Sequence, residues 1–235
     1  MKPEIYLIGT NHFDLKGPER LEKLLNHLQP RYLSVEVDKL RARKAEQMEE
    51  ELSESPEKLK AIVVATRCFY PGANWETVRE TIKIANFEYL VARDYCRQKG
   101  IPKSLPLILV DSAEKTAKIC KDAEIYQETA DILSRSLSEL TEVVEQSYQD
   151  DFASPENLER FNSIARDAYT ETKLRRLARK VALYSKIKEF FGQKWSDRIV
   201  HIGGLAHSFG NYHNLFARLK DLNPVRIKLS EADQL

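Results

Sequence analysis

Two short apolar runs, each cut off by glycine and followed three residues later by histidine, constrain this chain more than any other feature. Ile5-Tyr6-Leu7-Ile8 ends at Gly9, and His12 follows; Ile199-Val200-His201-Ile202 ends at Gly203-Gly204, and His207 follows. Short apolar runs bounded by glycine predict buried strands. In parallel α/β sheets ligands gather beyond the carboxyl ends of the strands. Glycine there permits tight turns and close backbone approach, and a neutral imidazole in the following loop can bind a metal. The two segments lie at opposite ends of the chain, so they predict that those ends meet at one site. The bland alternative is that each histidine is a loop residue bonded to backbone.

Between these ends the pattern is mostly helical. Pro18 and Glu19 suit a first helical turn, and Leu21, Leu24, Leu25 and Leu28 recur on one face up to Pro30. Tyr32 to Val37 reads as a second strand, and so short a strand–helix–strand unit predicts a parallel pair. Residues 39–60 read as an exposed charged helix, interrupted near Ser53 to Pro56 and restarted by Ser55-Pro56-Glu57. Ile62 to Ala65 fits either a helix end or a short strand. Residues 75–99 predict a helix closed by Gly100, with Val78, Ile82, Ala85, Tyr89 and Ala92 buried. Pro106 to Val110 predicts a third strand. Asp111-Ser112-Ala113-Glu114 resembles a capping box and opens a helical stretch to about 149. Ser154-Pro155-Glu156 starts another, ending at Gly192. Residues 211–221 predict a short helix and Val225 to Leu229 a last strand.

The 235 residues are ample for one domain, taken as 1–235 with a helical insertion around 113–192. The fold class expected is α/β (α+β), with N- and C-terminal strands in a central sheet. A charged fraction of 31% is above average and fits long solvated helix faces. A net charge of +1 gives no reason to expect nucleic acid. Cys68, Cys96 and Cys120 form no CxxC pair, which argues against a disulfide framework or structural zinc and for a reducing compartment. With no signal-peptide pattern and no membrane-length apolar segment, a cytoplasmic protein without membrane contact is expected.

Glu36 is the next candidate. It interrupts an apolar strand on the face of Ser34 and Asp38, and a buried carboxylate is costly unless paired or bound to a cation. His12, His207 and Glu36 make a two-His, one-carboxylate set of metal-binding type; the alternative is an ion pair of Glu36 with an arginine. Asp111 ends a strand, but its capping role explains it. His213 reads as a neighbour of the site or a surface residue, His201 as a packed core histidine, His27 as exposed. Tyr6, Tyr70 and Tyr169 fit either a pocket or the core. Ser208 lacks a G-x-S-x-G elbow.

Ile8-Gly9-Thr10-Asn11-His12, Ser34-Val35-Glu36-Val37 and Ile202-Gly203-Gly204-Leu205-Ala206-His207 resemble the TraB/PrgY (TraB domain) family, which is grouped with the Tiki metalloproteases and the erythromycin-esterase/ChaN-like superfamily. Glu88-Tyr89-Leu90-Val91-Ala92, the strand ending at Asp111, and Ala165-Arg166-Asp167 also resemble it, so the likeness runs from about residue 4 to 210. Ser112 and Ala165 depart from the family's usual Arg and Glu, and the membrane segments of several relatives are missing. The resemblance implies a central mixed sheet flanked by helices and a divalent-metal peptidase site (Mn, Co or Zn). Under it His12 and His207 are metal ligands or act on substrate, Glu36 is a ligand or the general base, and Arg166 steadies developing negative charge. Glu88, Asp111 and His213 stand behind them. The expected function is a metal-dependent hydrolase of peptides or small molecules. The alternatives are a non-catalytic protein of the same fold that sequesters a peptide or ligand, and a helical interaction protein forming a homo-oligomer through its charged arms.

Overall fold

The computed structural model describes residues 3–99, 107–109, 123–150, 166–190, 197–210 and 213–235. β1 (Glu4–Thr10) leads through α1 (Gly17–Leu28) to β2 (Tyr32–Val35). Four helices follow: α2 (Lys39–Glu54), α3 (Pro56–Phe69), α4 (Trp75–Lys83) and α5 (Phe87–Gln98). After β3 (Leu107–Leu109) come α6 (Ala123–Ser134), α7 (Leu137–Gln149) and the long α8 (Arg166–Phe190). The chain closes with β4 (Arg198–Gly204), α9 (Leu205–Ser208), α10 (Leu215–Arg218), a 3₁₀ turn, β5 (Val225–Lys228) and a second 3₁₀ segment, Leu229–Gln234. This is the expected α/β class, with a helical middle. The motifs at Asp111–Glu114, Ser154–Glu156 and Gly192 lie outside the described residues.

The five strands are ordered β3-β2-β4-β1-β5. Every ladder among the described strands is parallel, where the family resemblance implied a mixed sheet. Each connection carries a helix that returns the chain to the starting end of the sheet, and this gives parallel neighbours. One consequence differs from the local reading: β1 and β2 run parallel but do not touch, because β4 lies between them. Alternation along a strand gives its buried faces, not its neighbour.

Side chains of β1 alternate between two cores. Ile8 joins Leu33, Val35, Val200 and Ile202 under α1, α5 and α7. Ile5 and Leu7 join Tyr32 and Ile199 under α8 (Leu174, Leu177, Val181) and α10. Leu21, Leu24, Leu25 and Leu28 of α1 are buried as their spacing predicts, each contributing about 1.5–3 kcal/mol. α1 ends at Gln29, whose left-handed backbone (φ 47°) lets its N–H bond the Leu25 carbonyl; Pro30 cannot continue the helix.

Ile62 to Ala65 is helical, within α3. The helix expected over 75–99 is two: Asn86 takes a left-handed conformation (φ 62°) and opens α5, which asparagine tolerates better than most residues. That break aims the first turn of α5 at the sheet. Gly17 fixes the distance, because a Cβ there would stand 2.5 Å from the Phe87 ring. Among the described residues no helix is long and apolar enough to cross a membrane.

Candidate functional site

Register brings the two Gly-x-x-His segments together. Gly9 pairs with Gly203 and Thr10 with Gly204 in the β1–β4 ladder, so both segments leave the sheet at the same level. His12 follows in a turn closed by Asp14 N–H to the Asn11 carbonyl (3.0 Å) and by Phe13 N–H to Asn11 Oδ1 (3.0 Å).

Glu88, in the first turn of α5, meets His12 there. Nδ1 of His12 is 2.5 Å from Glu88 Oε1. The Thr10 hydroxyl lies 3.1 Å from the same oxygen and 3.2 Å from the Gly203 carbonyl, so its single proton is shared between them. The Glu88 charge holds the His12 imidazole above its ordinary pKa, outweighing the partial desolvation of the ring at the cleft. Burial pushes Glu88 up, but the His12 charge and the hydrogen bonds from His12 and Thr10 outweigh it and hold the carboxyl low. The imidazole remains 62% exposed, so water screens part of this attraction.

Glu36 stands one residue past β2, its backbone N–H still bonded to the Ile202 carbonyl at 3.0 Å. Oε1 is 3.2 Å from Nε2 of His207, on the short α9, and Oε2 accepts the Gly204 N–H at 3.3 Å. The residue opposite is Gly203, and this decides the geometry. A Cβ there would lie 2.9 Å from Glu36 Oε2 and 3.0 Å from His201 Nε2, so only glycine leaves the carboxylate room over the sheet. His201 is a buried core histidine as expected, its Nδ1 3.0 Å from the Ser34 hydroxyl. Asp38 is taken by the start of α2, where it accepts from the N–H groups of Leu40 and Arg41.

Thr10, His12, Glu36, Arg41, Glu88 and Tyr89 line a narrow cleft of about 20 Å³ at this carboxyl edge of the sheet, room for about one water molecule between the side chains. His207 is not part of its lining; it holds Glu36. The two histidines expected to act alike therefore differ. Among the described residues no three His, Cys, Asp or Glu side chains are grouped to hold a metal ion. The donor chemistry of His12, His207 and Glu36 suits a divalent cation, but the structure arranges these groups as two separate pairs.

Of the other expected site residues, Glu88 is at the centre and His213 is exposed on the segment before α10. Arg166 is the first residue of α8. Asp111 lies outside the described residues. Tyr70 packs beside the Val63–Val78–Leu133 cluster and Tyr6 beside the larger core, not in the cleft, and Tyr169 is exposed. Sequence reasoning missed Thr10, Arg41 and Tyr89 as cleft residues. Thr10 carried a signal, since it sits inside the quoted motif on the strand face opposite Gly9; Arg41 was hidden in a charged run. Comparison of the chain with protein-family models, with curated proteins and with solved structures finds no match in any of the three.

Proposed function

We propose that the cleft is the active site of a hydrolase acting on peptides or small acyl substrates. The observation that carries this reading is the presence of two imidazole–carboxylate pairs, His12–Glu88 and His207–Glu36, at one small cleft. Glu36, steadied by His207 and the Gly204 N–H, is the general base that takes a proton from water. Protonated His12, held by Glu88, is the acid that gives a proton to the leaving group. Proton transfers of this kind contribute typically 10²–10⁴-fold each.

The likeness to the TraB/PrgY and Tiki groups would add a divalent cation held by Glu36, His12 and His207, as an alternative to the acid–base roles above, because His12 could bind it only as the neutral imidazole. Such an ion supplies a water of lowered pKa. Because the three donors stand in separate pairs, no step is assigned to it. The reading goes with a cytoplasmic location, and a homo-oligomer formed through the charged α2 is compatible with it.

A second reading is a protein that sequesters a peptide or ligand without cleaving it. Each carboxylate already has its imidazole, an arrangement that is complete without turnover, and fold alone does not decide between the two.

The test is metal analysis of the purified protein together with peptide-library cleavage by the wild type, His12→Ala and His207→Ala. Cleavage lost in both variants supports the hydrolase. Metal-free protein that binds peptide equally well with both histidines replaced would overturn it.

A further inference from the structure

The turn that carries His12 is held from outside the sheet, by the last turn of α7 and a buried ionic cluster. Tyr148 is 3% exposed. Its hydroxyl accepts the N–H of Asn11, the residue before His12, at 3.2 Å and donates to Asp14 Oδ2 at 2.9 Å. The neighbouring Ser147 hydroxyl accepts from the Asn11 side-chain amide at 3.0 Å. Asp14 is itself locked, since Oδ1 takes the Lys16 N–H at 2.9 Å and Oδ2 takes Arg20 Nη1 at 3.0 Å. Arg20 is 3% exposed and also binds Glu145 of α7 (2.6 Å) and Asp233 near the end of the chain, with its guanidinium 5.8 Å from the Tyr148 ring centre.

A packing role alone does not account for this. A tyrosine needs one partner to satisfy its hydroxyl when buried; Tyr148 has two, and both belong to the His12 turn. Removing the hydroxyl strands the Asn11 N–H, in the peptide just before the two that flank His12. Asp14 stays fixed by Arg20, so the disturbance falls on residues 11 and 12.

We infer that Tyr148 is a positioning residue for His12: anchored on Asp14, its hydroxyl holds the Asn11 N–H and so sets the turn in which the imidazole meets Glu88 at the cleft. The inference rests on the proposal that His12 serves that cleft, but its test does not need turnover.

The experiment compares the ring resonances of His12, assigned with His12→Gln, at one fixed pH by NMR. Glu88→Gln marks the position of the unpaired ring. Tyr148→Phe is expected to move the His12 signals toward that position and to expose the Asn11 amide to hydrogen exchange. Val144→Ala, a core truncation on the same helix, is expected to lower Tm and leave the His12 signals in place. His12 signals unmoved in Tyr148→Phe overturn the inference. If Tyr148→Phe does not fold, Ser147→Ala decides: a smaller shift in the same direction supports it, and none overturns it. A protein without hydrolytic activity still answers, so failure of the hydrolase reading and failure of this one are separately visible.

Discussion

Nδ1 of His12 lies 2.5 Å from Oε1 of Glu88 across 76 residues of sequence, and the two partners differ sharply in exposure, 62% for the imidazole and 10% for the carboxylate side chain. The buried member depends on the exposed one for its charge. This gives the pair a defined pH behaviour. The folded-state pKa of His12 is raised from its ordinary 6.5, so its contribution is complete below 6.5 and is lost as pH rises through the raised value. That of Glu88 is lowered from 4.5, so its contribution is complete above 4.5 and is lost as pH falls through the lowered value. The Tm gap between wild type and His12→Ala is therefore expected to be widest between pH 4.5 and 6.5 and to narrow in alkali. A gap that grows steadily up to pH 9 would refute the pairing.

Gly203 makes the room that Glu36 occupies. Gly203→Ala is expected to cost about 1–3 kcal/mol by overpacking and to displace the Glu36 carboxylate, weakening any ligand of the cleft. Gly72→Ala, where an added Cβ meets nothing within 4 Å, is the control, expected within about 0.5 kcal/mol of wild type. Chemical denaturation of both variants checks the contrast.

Arg20 is the buried cation of the His12 support. Arg20→Met leaves Asp14 buried without its counter-ion, at an expected cost of about 3–5 kcal/mol. Asp233→Asn removes a partner that is 50% exposed, and about 1 kcal/mol or less is expected. Equal losses from the two changes in urea unfolding would show that the cluster is not anchored at Asp14.

Glu36→Gln keeps the shape of the side chain and removes the base. If the cleft hydrolyses its substrate through Glu36, kcat falls by about 10²–10⁴ with Tm nearly unchanged. His207→Gln, acting only through Glu36, should cost less in kcat at similar KM. A larger effect from His207 than from Glu36 would place the chemistry on the histidine.

The residues that local pattern could reveal were those whose neighbours in sequence explain them. Leu21 to Leu28 gave α1 by spacing, and Ile5 to Gly9 and Ile199 to Gly203 gave two strands whose glycine ends meet. Glu36 stood out because a carboxylate next to an apolar strand needs a reason. Glu88 came only through the family likeness, since on its own helix it is one acid among several. Tyr148 and Arg20 did not stand out; Asp14 is 134 residues from Tyr148, and besides nearby Asp14 the partners of Arg20, Glu145 and Asp233, lie 125 and 213 residues away. The break at Asn86 was masked because the apolar spacing of Val78, Ile82, Tyr89 and Ala92 continues across it. The place of β4 was equally hidden, because hydrophobic alternation is the same whichever strand lies alongside.

That strand order has a consequence for synthesis of the chain. When the ribosome has released β1, α1 and β2, the two strands have no ladder to share, and in the finished sheet they stand roughly 10 Å apart, two strand spacings. Only residues 198–204 fill that interval. Chains grow from the N-terminus at about 5–20 residues per second, so the nascent protein waits on the order of ten seconds or more with β1 and β2, the strands that flank the central β4, unjoined. Contacts this distant in sequence also slow folding. During that interval neither His207 nor the Gly203 carbonyl exists to complete the cleft. The cleft is therefore completed only once β4 and the residues that follow it to His207 have been made.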